Sequence, residues 1–325
     1  MNTIAILLST YNGEKYIIDQ LKSLENQSYP YFDLHIRDDA SSDDTLQLIE
    51  NFKSESNMNI TILPTKNNLG AKNNFEFLLE NSLQAKQYEY FMFCDQDDVW
   101  FNDKIIRSYE KIQQLENEFS SMQPLLIYTN LQVVDETLHI LGDSLWNDFH
   151  LDPKKNALNF LAMQCNITGC TMMFNRKLAK LSLPFPTEAI MHDYWVGMVA
   201  SSLGQLDYLD KATISYRQHG NNVSGGADKF NLRYIIHKAS KFFNNDEYYE
   251  VLGRQIMQSE SFLLQYKSYL AEDKIEILEA MISLQSVSFF KRITLMKKYQ
   301  LYKQNTIRNI GLILWFMKMS LGSKK

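Results

Sequence analysis

Three carboxylates, Asp95, Asp97 and Asp98, fall within four positions at the end of the apolar stretch FMFCDQDDVW, residues 91–100. Like charges this close repel one another, so something cationic is needed among them. Hard carboxylate oxygens directly after a buried strand suit magnesium or manganese. Such ions are held by one or two carboxylates together with the phosphates of a substrate. A divalent ion at this place would neutralise a departing diphosphate. On these residues alone a solvated turn with acids capping a helix beyond Trp100 is an equally good reading.

Other clusters have chemistry of the same kind. Asp38-Asp39 could hydrogen-bond a nucleobase or ribose, although Asp-Ala-Ser-Ser-Asp is also rich in turn formers. Tyr11, in STYNGEKY, offers a ring for stacking on a base or for the core. Lys72 opens a helical stretch where phosphate is favoured, and it equally suits a solvated surface. Asp193, in MHDYW, could take a proton from an attacking hydroxyl or simply cap a helix. Tyr194 and Trp195 beside it would add aromatic surface. His219, in YRQHGNN, could ligate a metal through neutral imidazole or stand in an exposed loop. No GxxxxGK[ST] or GxGxxG occurs, so a phosphate site must be built from metal and scattered side chains.

The elements that position these residues alternate. Strand-like runs cover 4–8, 32–36, 58–63 and 88–94, and helical spacings cover 14–26, 45–52 and 71–81. Ser42-Asp43-Asp44 supplies an N-cap for the second of these helices. Short links between alternating strands and helices imply a mostly parallel sheet covered on both faces. Ligands bind such sheets outside the carboxyl ends of the strands. Ser9 to Asn12, Asp38-Asp39 and Asp95 to Asp98 all follow strand ends, which puts them on one rim. Further strands are expected over 125–130, 171–174 and 206–216, with a helix from His192 to about Ser202. A linker is expected over 223–227, then helices only, over 230–243, 248–270 and 274–284.

Composition narrows the function classes. The 325 residues are 45% hydrophobic and 22% charged, which is ordinary for a globular protein. The three cysteines, Cys94, Cys165 and Cys170, lack paired metal spacing and read as reduced thiols of a cytoplasmic protein. Neither a signal peptide nor a transmembrane run is expected. The net charge of -5 hides an asymmetry: no acid follows Glu279, while nine Lys and Arg do. An acidic body argues against nucleic acid, and a basic tail could meet anionic lipid at the inner face of a membrane. The short apolar run over 310–317 fits an interfacial segment, or a helix packed on the body or on a second copy in a homodimer.

Taken in order, STYNGEKY, LHIRDDASSDDT, NNLGAKNNF, FMFCDQDDVW, MHDYW and YRQHGNN resemble the family 2 glycosyltransferases of GT-A fold. DQDDVW followed by HDYW and YRQHG is most similar to the rhamnosyltransferase branch that builds bacterial cell-surface polysaccharides. The resemblance spans residues 3–222. It implies an α/β GT-A domain over 1–225 and a C-terminal helical region over 226–325. It implies base and ribose contacts at Ser9, Tyr11 and Asp39, a diphosphate contact at Lys72, and a metal-binding DxD at Asp95 and Asp97. It further implies a catalytic base at Asp193 and a metal-completing histidine at His219. Asp38, Asp98, Trp100, His192 and Trp195 are flanking candidates. Many relatives carry Glu-Asp where this chain has His192-Asp193, which leaves the base intact and opens the role of position 192. The implied reaction inverts the anomeric carbon of a dTDP-rhamnose or UDP-sugar donor, assisted by Mg2+ or Mn2+. The implied acceptor is a growing glycan on a polyprenyl diphosphate. A non-catalytic glycan-binding scaffold and a nucleotidyltransferase are the competing classes.

Overall fold

The computed structural model describes residues 3–219 and 245–322. The expected linker over 223–227, the helix over 230–243 and the Gly220-Asn221-Asn222 end of the last motif lie outside the described residues.

β1 (Ile4–Thr10), β2 (Phe32–Asp38), β3 (Asn59–Ile62) and β4 (Tyr90–Cys94) pair in parallel. They alternate with α1 (Ile17–Glu25), α2 (Thr45–Glu55) and α3 (Ala71–Ala85). β1, β2 and β4 are buried at nearly every position, so both faces of this part of the sheet are covered. Their aliphatic and aromatic runs are read correctly for that reason. The expected N-cap differs in detail. Asp43, rather than the capping Asp44, accepts from the Thr45 backbone N–H, and its second oxygen accepts from Glu14 N.

The sheet runs β3-β2-β1-β4-β8-β6-β9-β5, with β7 (Ile140–Gly142) on β6 (Leu125–Val134). β8 (Met172–Asn175) enters antiparallel to both β4 and β6. β6 and the long β9 (Gln205–Arg217) are parallel, and β5 (Val99–Trp100) is antiparallel to β9. The sheet is therefore mixed, with its parallel half carrying the polar rim. Register fixes that rim: Thr10 lies opposite Asp38, and Leu8 opposite Cys94. The chain thus leaves β1, β2 and β4 at one edge of the sheet, at Tyr11, Asp39 and Asp95.

α4 (Lys104–Phe119) has no counterpart in the sequence reading. Its buried face, Ile105, Ser108, Ile112 and Leu115, has helical spacing but few apolar members among many charges. The helices α5 (Leu145–Asp148), α6 (Leu158–Met163), α7 (Arg176–Ser182) and α8 (His192–Leu203) follow. α7 has a clear cap, since Asn175 accepts from the Leu178 N–H at 3.0 Å.

Two compact units result. One comprises Met1–Leu145, Ile167–Phe185 and Met191–Arg217. The other comprises Trp146–Asn166, Pro186–Ile190 and Gln218–Lys325. The second unit thus draws two segments from inside the span 1–225. Its described helices include α9 (Asn245–Tyr266), α10 (Glu272–Ser283), α11 (Phe289–Tyr299) and α12 (Thr306–Gly322). Ala162 and Met163 of α6 join Leu252, Ile256, Met281, Leu284, Trp315 and Phe316 in its apolar core. Among the described residues no helix is long and apolar enough to cross a membrane.

Gly204 joins α8 to β9 under a tight constraint. A Cβ there would lie 2.1 Å from the Pro124 carbonyl oxygen, which accepts the Gln205 N–H at 2.9 Å. Gly204→Ala is expected to destabilise the first unit by about 1–3 kcal/mol, as overpacking does. Thermal denaturation checks this, and an unchanged Tm would contradict the contact.

Candidate active site

The loop after β1 is held from two sides. The Gln96 amide pairs with the Tyr11 backbone both ways, accepting from its N–H at 2.8 Å and donating to its carbonyl at 2.9 Å. Gly13 lies beneath this pair, where a Cβ would stand 2.3 Å from Gln96 Oε1 and displace that amide from the Tyr11 backbone. Asn12 N donates to Ser41 Oγ, and Gly13 N to Thr45 Oγ1. The Tyr11 ring is left half-exposed at the rim, at 51%.

The adjacent acids after β2 take different tasks. Asp38 accepts from Thr10 Oγ1, Ser41 N and Ser41 Oγ, which closes the turn. Asp39, 2% exposed, accepts from Arg37 Nη1 at 2.7 Å and from the backbone N–H groups of Leu69 and Gly70, each at 2.8 Å. A carboxylate offers about four acceptor positions, so Asp39 keeps room for one further donor. Ala40, directly after the two acids, adopts φ 66°, a left-handed conformation that turns the chain away from the strand end. Asn74 links the neighbouring parts, donating to Ser9 Oγ at 2.7 Å and accepting from Arg37 Nη1 at 2.6 Å. Lys72, partly buried, sits in the first turn of α3.

The three acids after β4 differ in exposure. Asp95 and Asp97 are partly exposed, whereas Asp98 is fully buried. Burial, then the charges of Asp97 and Asp193, push Asp95 up to about 7. Burial and the charges of Asp97 and Asp95 also raise Asp98. Arg217, the last residue of β9, fastens the loop: its N–H donates to Asp98 Oδ1 at 3.3 Å and its Nε to the Asp97 carbonyl at 2.9 Å. Its remaining nitrogens reach the Glu136 carbonyl and Asp19.

A 3-10 turn, Gly169–Thr171, connects this loop to Asp193. Gly169 N donates to Asp193 Oδ2 at 3.0 Å, while Tyr194 N donates to Oδ1 at 2.7 Å. The next residue, Cys170, places its sulfur with carboxylate oxygens of Asp95 and Asp98, all within 4.8 Å of one another. Burial, then Asp98 and Asp95, hold that thiol protonated. Burial likewise pushes Asp193 up to about 6.

The flanking aromatics are placed differently from the expectation. Tyr194 and Trp195 add no aromatic surface: they are 7% and 0% exposed, and Trp195 Nε1 donates to the Ser182 carbonyl. Trp100 is also buried. His192 is inside the first unit, tilted over Phe75 at 4.0 Å and edge-on to Phe93 at 4.6 Å. Burial drives it down to about 3, so it stays neutral. A Cβ on Gly169 would meet His192 Nε2 at 2.6 Å, so the imidazole backs the turn that holds Asp193. His219 is buried just beyond β9, in the second unit and at the limit of the described residues.

Comparison with known proteins now decides the family. The description "Glycosyl transferase family 2" matches residues 5–182, more than half of the 325-residue chain. The chain belongs to glycosyl transferase family 2. The dTDP-rhamnosyl transferase RfbG of Shigella flexneri is 26% identical over 243 residues, which are 70% of this chain and 76% of RfbG. Staphylococcus aureus TarS residues 1–349, solved with UDP-GlcNAc, superimposes with a TM-score of 0.54 at 18% identity, covering 98% of this chain and 88% of that one. The mannosyltransferase PcManGT of Pyrobaculum calidifontis, solved with GDP-Man and Mn2+, gives 0.51 at 13% identity, covering 99% and 88%. The fold is thus GT-A-like, as the motif order implied.

The family member's donor set can be tested against a divalent ion. Asp95 and Asp97 supply hard oxygens that are open to a ligand, and Asp95 carries excess negative surroundings. These suit Mg2+ or Mn2+; the protonated thiol of Cys170 does not. Sequence reading passed over Gln96, Gly13, Gly169, Cys170 and Arg217. Only the two glycines carried a local signal, as breaks between apolar runs.

The raised acids make stability depend on pH. Asp95 at about 7 and Asp193 at about 6 bind protons more tightly folded than unfolded, where 3.8 is ordinary. Their contribution is therefore complete near pH 4 and is lost as pH rises through 6 to 7. Chelator-treated protein should lose about 2 kcal/mol or more between pH 5 and pH 8. Millimolar Mn2+ should remove that loss. Melting curves at the two pH values check both statements.

Proposed function

We propose that this family 2 enzyme transfers a sugar from a nucleoside diphosphate donor to an acceptor hydroxyl in one inverting displacement. The observation that carries the reading is the 3-10 turn at Gly169-Cys170, which brings Asp193 and the acid loop within one electrostatic field. In this reading the base and ribose lie against Ser9, Tyr11 and the remaining acceptor position of Asp39, and Lys72 meets the diphosphate. Asp95 and Asp97 would hold a divalent ion, which when bound supplies positive charge to the leaving diphosphate. Asp193 takes the proton of the attacking hydroxyl. Its two backbone donors orient the carboxylate, and burial keeps its proton affinity near the working range of a general base.

The similarity to RfbG supports L-rhamnose from dTDP-rhamnose as the donor and cell-surface polysaccharide or a lipid-linked saccharide as the acceptor. A UDP-hexose or UDP-N-acetylhexosamine is the second reading, since TarS was solved with UDP-GlcNAc on a similar fold. A panel of nucleotide sugars with Mn2+ and with chelator, scored for nucleoside diphosphate, separates these donors. Absence of release from every donor would favour the glycan-binding scaffold. Asp193→Asn is expected to leave donor binding intact and lower kcat by about 10²–10⁴-fold. Wild-type kcat/KM should climb as pH rises through about 6. Equal turnover by the variant would remove Asp193 from the role of base.

A lipid-linked acceptor would place the work at the cytoplasmic face of a membrane, and α12 supports contact there. Leu312, Trp315 and Phe316 are packed in the second unit's core, while Ile307, Ile310, Leu314 and Met317 are exposed. Those four follow helical spacing and form one stripe. Exposed Lys291, Lys297, Lys298 and Lys318 accompany it, and no acid occurs after Glu279. Deleting the tail would open the core, so the test replaces Ile307, Ile310 and Leu314 by Asn. Wild type should sediment with phosphatidylglycerol vesicles and the variant should not. Equal sedimentation would overturn the membrane reading, and loss of a dimer instead would assign the stripe to a second copy.

A further inference from the structure

Asn74, in the first turn of α3, is a fully buried amide that touches two strands at once. It bonds to Ser9 of β1 and Arg37 of β2, which lie directly opposite each other in the sheet. Arg37 is buried as well, and a guanidinium can only donate hydrogen bonds. Its Nη1 donates to Asp39 Oδ1 at 2.7 Å and to Asn74 Oδ1 at 2.6 Å. The Asn74 amide must therefore turn its oxygen toward Arg37, because the reverse orientation would set donor against donor. Its nitrogen then faces the other way. Nδ2 donates to Ser9 Oγ at 2.7 Å and to the Arg37 carbonyl at 3.1 Å, which uses both of its hydrogens. Ser9 Oγ is the acceptor in that bond, so its own hydrogen points elsewhere, and among the described residues nothing receives it. Ser9 is partly exposed at the rim. At the other end of the chain of bonds, Asp39 Oδ1 takes two donors, Arg37 and Leu69 N, while Oδ2 takes only Gly70 N. The open acceptor position of Asp39 is thus on Oδ2.

We propose that Asn74, anchored by Arg37, is a positioning residue that keeps the Ser9 hydroxyl hydrogen directed away from the protein and available to an oxygen of the donor's nucleoside. The rim then offers two opposite polarities, a hydroxyl donor at Ser9 and a carboxylate acceptor at Asp39 Oδ2. A pyrimidine nucleoside with an imide edge supplies both counterparts. Its carbonyl oxygens accept, and its ring N–H or ribose hydroxyls donate. Arg37 and Asn74 act through Ser9 and Asp39 without touching the ligand. This assignment rests on the nucleotide reading proposed above.

A double-mutant cycle tests it on the full chain, with Ser9→Ala, Asn74→Asp and the two combined, by calorimetric titration of UDP and dTDP in the presence of Mn2+. Ser9→Ala removes the hydrogen and should weaken the tighter nucleotide by about fivefold, the size of one neutral hydrogen bond. Unchanged affinity in this mild variant would overturn the proposal, even if Asn74→Asp does not fold. A carboxylate at position 74 still accepts from Arg37 but cannot donate, so the Ser9 hydroxyl turns its hydrogen inward to it. Asn74→Asp should therefore cost about fivefold more affinity in the chain that has Ser9 than in the Ser9→Ala background. Repulsion between that carboxylate and the diphosphate is common to both backgrounds and cancels in the cycle. Equal losses in the two backgrounds would leave Asn74 with a structural role only and overturn the proposal. Binding of neither UDP nor dTDP by wild type would instead remove the nucleotide reading itself, and this proposal with it.

Discussion

Negative charge gathered at the end of β4 is the constraint on which the first unit depends. Asp95, Asp97, Asp98 and, through the Gly169-Cys170 turn, Asp193 share one region of low water access. Their repulsion must be balanced locally, and the fold does so from behind and from the side. Arg217 ties the loop backbone to the end of β9 and lies over the Tyr16 ring at 4.5 Å. Gln96, between the first two acids in sequence, uses its amide to hold the Tyr11 backbone instead of adding charge. The loop is thereby held in place, while Asp95, partly exposed, is raised by burial and by the charges of Asp97 and Asp193.

The acids after β2 show the opposite arrangement. Asp38 and Asp39 are supplied with hydroxyl, backbone and guanidinium donors, and they serve to shape the rim. Hydrogen bonds to a carboxylate are strong, so these donors hold the two side chains in place. A buried carboxylate with few donors holds its proton more tightly and suits proton transfer or cation binding. Asp193 has two backbone donors and is still raised by burial, which places it between the two cases.

Much of the rim could be read from local pattern. The aliphatic run 4–8, the run 32–36 and the stretch 88–94 each declare a buried strand by composition, and the polar residues after them fall at strand ends. The order of six short motifs adds the family. Harder to read were α4, whose apolar period is diluted by charge, and the antiparallel entry of β8 beside β4. Trp195 and Trp100 look like candidate platforms in a string of letters, yet both rings are consumed by packing.

The sequence by itself determined where strands end and which residue types follow them, because strand burial and turn chemistry act over a few residues. Tertiary structure decided which acids are partly exposed and which are buried, and which groups surround each. Arg217 meets residues more than a hundred positions away, and Gly169 reaches Asp193 across 24 positions. Charge compensation depends on distance in space and on the exclusion of water. Neither quantity is carried by spacing along the chain.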